Sequence, residues 1–165
     1  MELYILRHAI AAPRGGKQFR RDSDRPLTDE GIAKLRKVVR GMRALDLSFD
    51  QLLTSPFRRA RQTAEIVAEE MGLERALEVS PHLAPGGQGA ALVDQLAAAR
   101  AASTLLVGHE PDLSKLLSVL LSGDVKLAIT LKKASLCKLR VPTLHYGRCA
   151  TLEWLLAPAQ LTCVR

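Results

Sequence analysis

The 165-residue chain is 47% apolar and 25% charged, which suits one soluble globular domain over residues 1–165. No run approaches the roughly 18–20 uninterrupted apolar residues of a membrane span, and no basic region precedes an apolar stretch as in a signal peptide, so a cytoplasmic protein is expected. The net charge of +7 admits nucleic acid, anionic membranes and phosphorylated or acidic substrates, but the few aromatic residues (3 Phe, 2 Tyr, 1 Trp) do not interleave with a basic stripe, which argues against a single-strand stacking platform.

The chain opens on an apolar run, residues 3–6, that ends in Arg7-His8 and passes into a Gly-, Pro- and Arg-rich segment. Such a run between breakers predicts a buried strand of an α/β sheet, and residues just past the carboxyl end of such a strand face the ligand crevice. Arg7 and His8 are thereby placed at the lip of a site, a cation beside a potential nucleophile. Taken alone, the pair also fits a polar strand end with no further role. Residues 11–24 read as a long loop with Pro13, Gly15 and Gly16 and the cations Arg14, Lys17, Arg20 and Arg21. Loops of that length in compact domains are usually functional or mobile. If it rims the pocket, the basic segment from Arg14 to Arg25 offers a dock for an acidic protein surface.

Arg25-Pro26-Leu27-Thr28 sets up a helix start, with Thr28 as cap and Asp29 and Glu30 suited to the positive end of the dipole. Ile32, Leu35, Val38, Val39, Met42 and Leu45 recur at helical spacing, predicting an amphipathic helix to about residue 45. Residues 49–53 read as a second strand ending in Thr54-Ser55-Pro56, with Pro56 expected in the first turn of a helix over 57–71 that stops at Gly72. Arg58, Arg59 and Arg61 crowd that helix start, where each cation opposes the dipole by a few tenths of a kcal/mol to about 1 kcal/mol. The cost makes sense if an anion is held there.

A short strand at 77–79 precedes the turn-rich His82-Leu83-Ala84-Pro85-Gly86-Gly87 and an Ala-rich helix over 90–102. Residues 104–107 repeat the opening design: an apolar strand, Gly108-His109-Glu110-Pro111 at its lip, then a helix over 112–121 with a Leu-rich face. The C-terminal third lacks helical patterns. Its apolar stretches at 134–141 and 149–156 predict a closing pair of strands at the sheet edge, joined through 142–147. Lys132 and Lys133 suit a charged edge that discourages strand pairing, and also a position lining the site. His145 reads as a solvated turn residue and Trp154 as core. Cys137, Cys149 and Cys163 show neither CxxC nor Cys/His ligand spacing and read as reduced thiols without a metal.

Together these residues resemble the histidine phosphatase superfamily (branch 1), in its small form without a large cap domain. Arg7-His8 matches its first motif. Ser55-Pro56-Phe57-Arg58-Arg59-Ala60-Arg61-Gln62-Thr63 resembles its second, in which the Arg preceding Ala is the phosphate ligand, here Arg59 with Arg58 as a neighbour. Gly108-His109-Glu110-Pro111 resembles its second-histidine motif. Arg25-Pro26-Leu27-Thr28, the Ser55-Pro56 form of the second motif, the Pro85-Gly86-Gly87 loop and the short chain are similar to SixA-type phosphohistidine phosphatases. The resemblance covers residues 1–122, with the motifs in order. It implies a three-layer α/β/α sandwich with a mostly parallel central sheet, phosphoglycerate-mutase-like. It also implies His8 as nucleophile, Arg7, Arg59 and His109 as catalytic phosphate ligands, and Arg25 and Ser55 as further substrate-binding residues. No metal or other cofactor is implied. The implied partner is a phosphorylated protein, such as a histidine-containing phosphotransfer domain, with neither nucleic acid nor membrane, and the chain itself is expected to be a monomer or weak dimer.

The chemistry of the residues points the same way. A phosphoryl group in transfer spreads its charge over equatorial oxygens, which the forked donors of Arg7 and Arg59 match and to which His109 adds another donor. His8 can attack through one ring nitrogen if the other donates to a backbone carbonyl. Two departures from the family pattern stand out. Ala9 replaces the usual Gly of the first motif, a change small enough to preserve close backbone approach. The loop Ser80-Pro81-His82-Leu83-Ala84-Pro85-Gly86-Gly87-Gln88 also lacks the carboxylate that many ester-cleaving members use as proton donor. An alkoxide leaves poorly without a general acid, whereas the imidazole of a phosphohistidine, protonated on its other nitrogen, leaves as a neutral ring. Phosphohistidine hydrolysis is therefore the leading expectation, with His82 and Glu110 as substitute acids. A phosphatase for small phosphate esters and a non-catalytic phosphate-binding module are the alternatives.

Overall fold

The computed structural model describes residues 1–15 and 19–164. Gly16 and Lys17 of the long loop lie outside the described residues. β1 (Glu2–Arg7), β2 (Gln51–Thr54), β3 (Leu77–Val79), β4 (Ser103–Gly108), β5 (Leu136–Arg140) and β6 (Thr151–Leu156) form one sheet in the order β3-β2-β4-β1-β5-β6. The first four run parallel, β5 is antiparallel to β1, and β6 is antiparallel to β5.

The central strands are unbroken apolar runs because both faces of the sheet are covered. On one face Tyr4, Leu6, Leu52, Leu105 and Val107 meet α1 (Asp29–Ala44) and α2 (Arg58–Met71). On the other, Leu3, Ile5, Leu53 and Leu106 meet α3 (Gly89–Ala99) and α4 (Asp112–Ser122). The expected three-layer α/β/α sandwich is the result. Among the described residues, no helix is long and apolar enough to cross a membrane.

Three local expectations need correction. The C-terminal third does contain a helix, α5 (Pro158–Leu161), a single turn too short to show periodicity. Pro56 lies before α2 rather than in its first turn, because Phe57 is the extended N-cap residue and donates its amide to Ser55 Oγ at 3.2 Å. Lys132 and Lys133 do not guard a sheet edge, since β5 is flanked by β1 and β6. They occupy the turn before β5, where the Ala134 amide donates to the Arg7 carbonyl at 3.0 Å. Strand order is a tertiary property that a lysine pair next to a strand does not reveal.

α1 starts where the chain returns from the loop to touch the end of β1. The Thr28 hydroxyl accepts the Gly31 amide at 3.0 Å, and the Thr28 amide donates to the Ile10 carbonyl at 3.0 Å. A Cβ on Gly31 would lie 2.1 Å from that same Ile10 oxygen. Gly31→Ala is therefore expected to force α1 off the segment just past His8 and to destabilise the fold by about 1–3 kcal/mol. The urea midpoint should fall at constant m; an unchanged midpoint would mean that the contact carries no constraint.

Candidate active site

Parallel pairing sets the carboxyl ends of β1, β4 and β2 side by side, with Arg7 opposite Gly108 and Thr54 opposite Val107. One residue further on, the His8 amide donates to the Gly108 carbonyl at 3.1 Å and the Ser55 amide to the Val107 carbonyl at 3.0 Å. His8 continues the alternation of Tyr4 and Leu6, and His109 that of Leu105 and Val107, so both rings fall on the sheet face covered by α2. Their centroids are 5.0 Å apart.

The His8 ring is fixed in one tautomer. Nδ1 lies 2.7 Å from the Ala9 carbonyl, which can only accept, so Nδ1 holds the proton and Nε2 the lone pair. The Arg59 Nε–H donates to Nε2 at 3.2 Å. Ala9 is held in turn by its amide, which donates to Thr63 Oγ1 at 3.1 Å, while the Thr63 hydroxyl donates to the Arg59 carbonyl at 2.7 Å. The methyl group of Ala9, buried at 1% exposure, is accommodated without loss of this close approach. Burial pushes the His8 pKa down to about 3, and the charges of Arg59, Arg7 and Lys133 reinforce the shift against the opposing bond to Ala9.

His109 carries the complementary arrangement. Its Nε2 is 2.8 Å from Ser55 Oγ. Ser55 Oγ accepts the Phe57 amide, and its own O–H can donate to Nε2; in that tautomer the His109 proton sits on Nδ1. Burial, then the charge of Arg59, lowers the His109 pKa to about 3. His109 Nδ1 and Arg7 Nε are both buried without an acceptor among the described residues. A buried donor left unpaired costs about 1–3 kcal/mol. Two of them, one on the residue preceding His8 and one on the ring packed beside it, mark a place for an acceptor with several oxygens.

The arginines are pinned from behind. Arg7 donates through Nη1 to the Leu131 carbonyl at 2.7 Å, and burial lowers its pKa. Arg59, buried to 1% exposure at the start of α2, stacks with its Cζ 5.1 Å from the Phe57 ring centroid. Its Nη1 donates to the Asp22 carbonyl oxygen at 2.8 Å and its Nη2 lies 3.0 Å from the Asp22 carboxylate. Arg58 and Arg61, its neighbours in sequence, are exposed.

Asp22 was not singled out from the sequence, yet it ties the long loop to the site. The loop turns at the 3₁₀ segment Asp22–Asp24, and the Asp22 carboxylate meets Arg59, Arg25 and Arg14 together. Partial burial works against its charge, but the hydrogen bond from Arg25 and the positive charge of Arg59 hold its carboxyl below the ordinary value. The Asp22-to-Arg25 spacing of one turn was its only signal in the sequence.

Arg25 and Ser55 reach the site with their polar atoms engaged. Arg25 contacts Asp22 Oδ1 through Nε and Nη2, both at 2.8 Å, and donates through Nη1 to the Ala12 carbonyl. The Ser55 hydroxyl is fully buried between Phe57 and His109. Of the two residues considered as acids, Glu110 has a buried carboxylate oxygen. Burial raises its pKa, Oε2 accepts from the Ser114 hydroxyl, and Oε1 is buried without a partner among the described residues. His82 lines a cavity of about 110 Å³ that reaches His109.

The family model for the histidine phosphatase superfamily (branch 1) matches residues 3–84. An uncharacterized protein of Picosynechococcus sp. is 42% identical over 149 residues, covering 85% of each chain. The phosphohistidine phosphatase SixA of Escherichia coli (strain K12) is 29% identical over 164 residues, covering 98% of this chain and 96% of that protein. A solved structure of the protein histidine phosphatase SixA complexed with tungstate superposes with a TM-score of 0.82 at 28% identity, over 98% of this chain and 99% of that one.

Because both rings have folded-state pKa values of about 3 against an ordinary 6.5, the unfolded chain takes up protons first as pH falls. Stability is accordingly expected to be full above about 6.5 and to decline from there toward 3. In ¹⁵N-detected titrations both imidazoles should stay neutral from pH 8 to about 5. A midpoint near the ordinary histidine value for either ring would overturn this.

Proposed function

Since the chain belongs to the histidine phosphatase superfamily (branch 1), we propose that it hydrolyses phosphohistidine by way of a phosphoryl group carried on His8. The observation that carries the reading is the lone pair on His8 Nε2, set by the Nδ1 bond to the Ala9 carbonyl at 2.7 Å, with the His109 ring packed beside it and with Arg7 Nε and His109 Nδ1 buried without partners among the described residues. In the proposed reaction Arg7 Nε, Arg59 Nε and His109 Nδ1 donate to the phosphoryl oxygens. Arg59 Nε gives up its contact with His8 Nε2 as the oxygens arrive. His8 Nε2 forms a bond to phosphorus while the bond from phosphorus to the substrate imidazole breaks. That imidazole, already protonated on its other nitrogen, departs neutral. Water then attacks the phosphorus, the His8 Nε2–P bond breaks, and His8 is again neutral with its proton on Nδ1; dihydrogen phosphate is the product. The leaving group of each step is a neutral imidazole, so neither step demands a general acid. Ser55 serves by orienting His109, and Arg25 by holding Asp22 against Arg59.

Similarity to SixA supports a phosphatase with this substrate, and tungstate in that relative's structure is a tetrahedral oxyanion like phosphate. The substrate we favour is a phosphorylated signalling protein, such as a histidine-containing phosphotransfer domain. The second reading, a phosphatase for small esters, draws on Glu110, whose raised pKa and free oxygen suit an acid for an alkoxide.

Rates on a phosphohistidine protein set against a panel of sugar phosphates separate the two. The expected result is a clear preference for phosphohistidine, and radiolabelled phosphate trapped on wild type but not on His8→Ala. Preference for the esters would sink the proposal. Arg59→Ala should lower kcat by about 10²–10³, the usual cost of one preorganised donor. Glu110→Gln should leave phosphohistidine turnover near wild type, and a loss of about 10²–10⁴ confined to esters would identify Glu110 as their acid.

A further inference from the structure

Beside the phosphoryl site, and separate from the loop over Arg59, a groove of about 760 Å³ opens from Arg7 toward α1, the turn before β5, and α5. Its walls carry Lys34 and Lys37 from one side and Lys132 and Lys133 from the other, all four exposed. Among the described residues no carboxylate lines it. Lys37, Lys132 and Lys133 have no acidic partner among the described residues. Lys34 is paired with Glu30 at 2.5 Å, but both side chains are more than half exposed, and such pairs are weak and easily exchanged. Along the floor the groove is apolar, with Ile10 and Ala134 on one side and Ala157, Pro158 and Ala159 of α5 on the other.

Isolated lysines on a surface are ordinary. Four that converge from separate parts of the chain on one groove leading to Arg7, with the weak Lys34–Glu30 pair as their one acidic contact among the described residues, repel one another in the free protein. That repulsion is relieved by a ligand of opposite charge. A lone phosphoryl group would fill only the Arg7 end. The apolar floor suits the backbone and alkyl parts of a polypeptide, and the lysine walls suit its carboxylates. We propose that this groove docks an acidic, Asp/Glu-bearing segment of the phosphoprotein substrate, next to the phosphohistidine delivered to His8. The inference rests on the phosphohistidine reading of the site and adds the surface by which the protein part of the substrate is chosen. Charge complementarity of this kind acts mainly on encounter, so its mark is a salt-sensitive kcat/KM that small substrates do not share.

The test uses the variant Lys37→Glu/Lys132→Glu, which leaves Arg7 and Lys133 in place beside His8. On a phosphohistidine-bearing acidic protein, kcat/KM should fall about tenfold or more through KM, with a flattened salt dependence. On phosphoramidate, a small substrate with the same type of bond, it should be unchanged. Equal losses on both substrates, or no loss on the protein, would overturn the proposal. Direct binding is measured in parallel with a fluorescein-labelled Glu-rich peptide lacking phosphate, and with two competitors, vesicles of mixed phosphatidylcholine and phosphatidylserine and a single-stranded DNA oligomer. Wild type should bind the peptide and the double variant should lose it; stronger binding of vesicles or DNA at physiological salt would assign the groove to another partner and overturn the proposal. If wild type ignores phosphohistidine and phosphoramidate yet binds the peptide through the lysines, the functional reading fails and the groove stands. If turnover is as proposed but indifferent to the lysines, the groove fails and the functional reading stands.

Discussion

The hydrogen bond from His8 Nδ1 to the Ala9 carbonyl is the constraint around which the rest is arranged. It decides which nitrogen carries the lone pair, and it survives only while the backbone just past β1 keeps its course. That course is set by parallel pairing with β4, by the Ala9 amide on Thr63, and by the Thr28 amide on the Ile10 carbonyl. A mainly hydrophobic fold thereby has a chemical consequence. Leu3, Ile5 and their partners place the strand ends, and one short contact directs the lone pair of the proposed nucleophile.

Charge is the second condition. Burying Arg59 removes its guanidinium from water, a cost met by the Phe57 ring and by both the carboxylate and the carbonyl oxygen of Asp22. The site is therefore not a bare cluster of cations. One arginine is held by an acid at its far end and turns its Nε to His8, while Arg7 is held by the Leu131 carbonyl and keeps its Nε without a partner among the described residues. Burial, reinforced by nearby cations, lowers both histidine pKa values to about 3, so the proposed nucleophile stays unprotonated over a wide pH range.

Legibility varied with the range of the interaction involved. β3 was placed to the residue, and α1, α2 and α4 to within one residue or so, because hydrophobic period, caps and the left-handed Gly72 are local features. α5 was invisible because a single turn has no period. His8, Arg59 and His109 could be singled out because each follows a strand end or opens a helix. Asp22 could not, because its importance comes from a loop folding back over a residue 37 positions later. Ser55 and Arg25 were legible as members of the site, but their contacts with His109 and Asp22 were not.

By itself, then, the sequence determined the α/β architecture, the candidate nucleophile and the residue types able to hold a phosphoryl group, since these depend on short patterns and intrinsic chemistry. Tertiary structure alone decided the order of strands, and with it that Lys132 and Lys133 stand beside Arg7 and not at a sheet edge. It alone decided the tautomer of His8, because a proton's place on an imidazole follows from which acceptor the fold brings within reach, here the Ala9 carbonyl. Arg7-His8 supplies the reagents of the site; the geometry of their neighbours determines which atom can react.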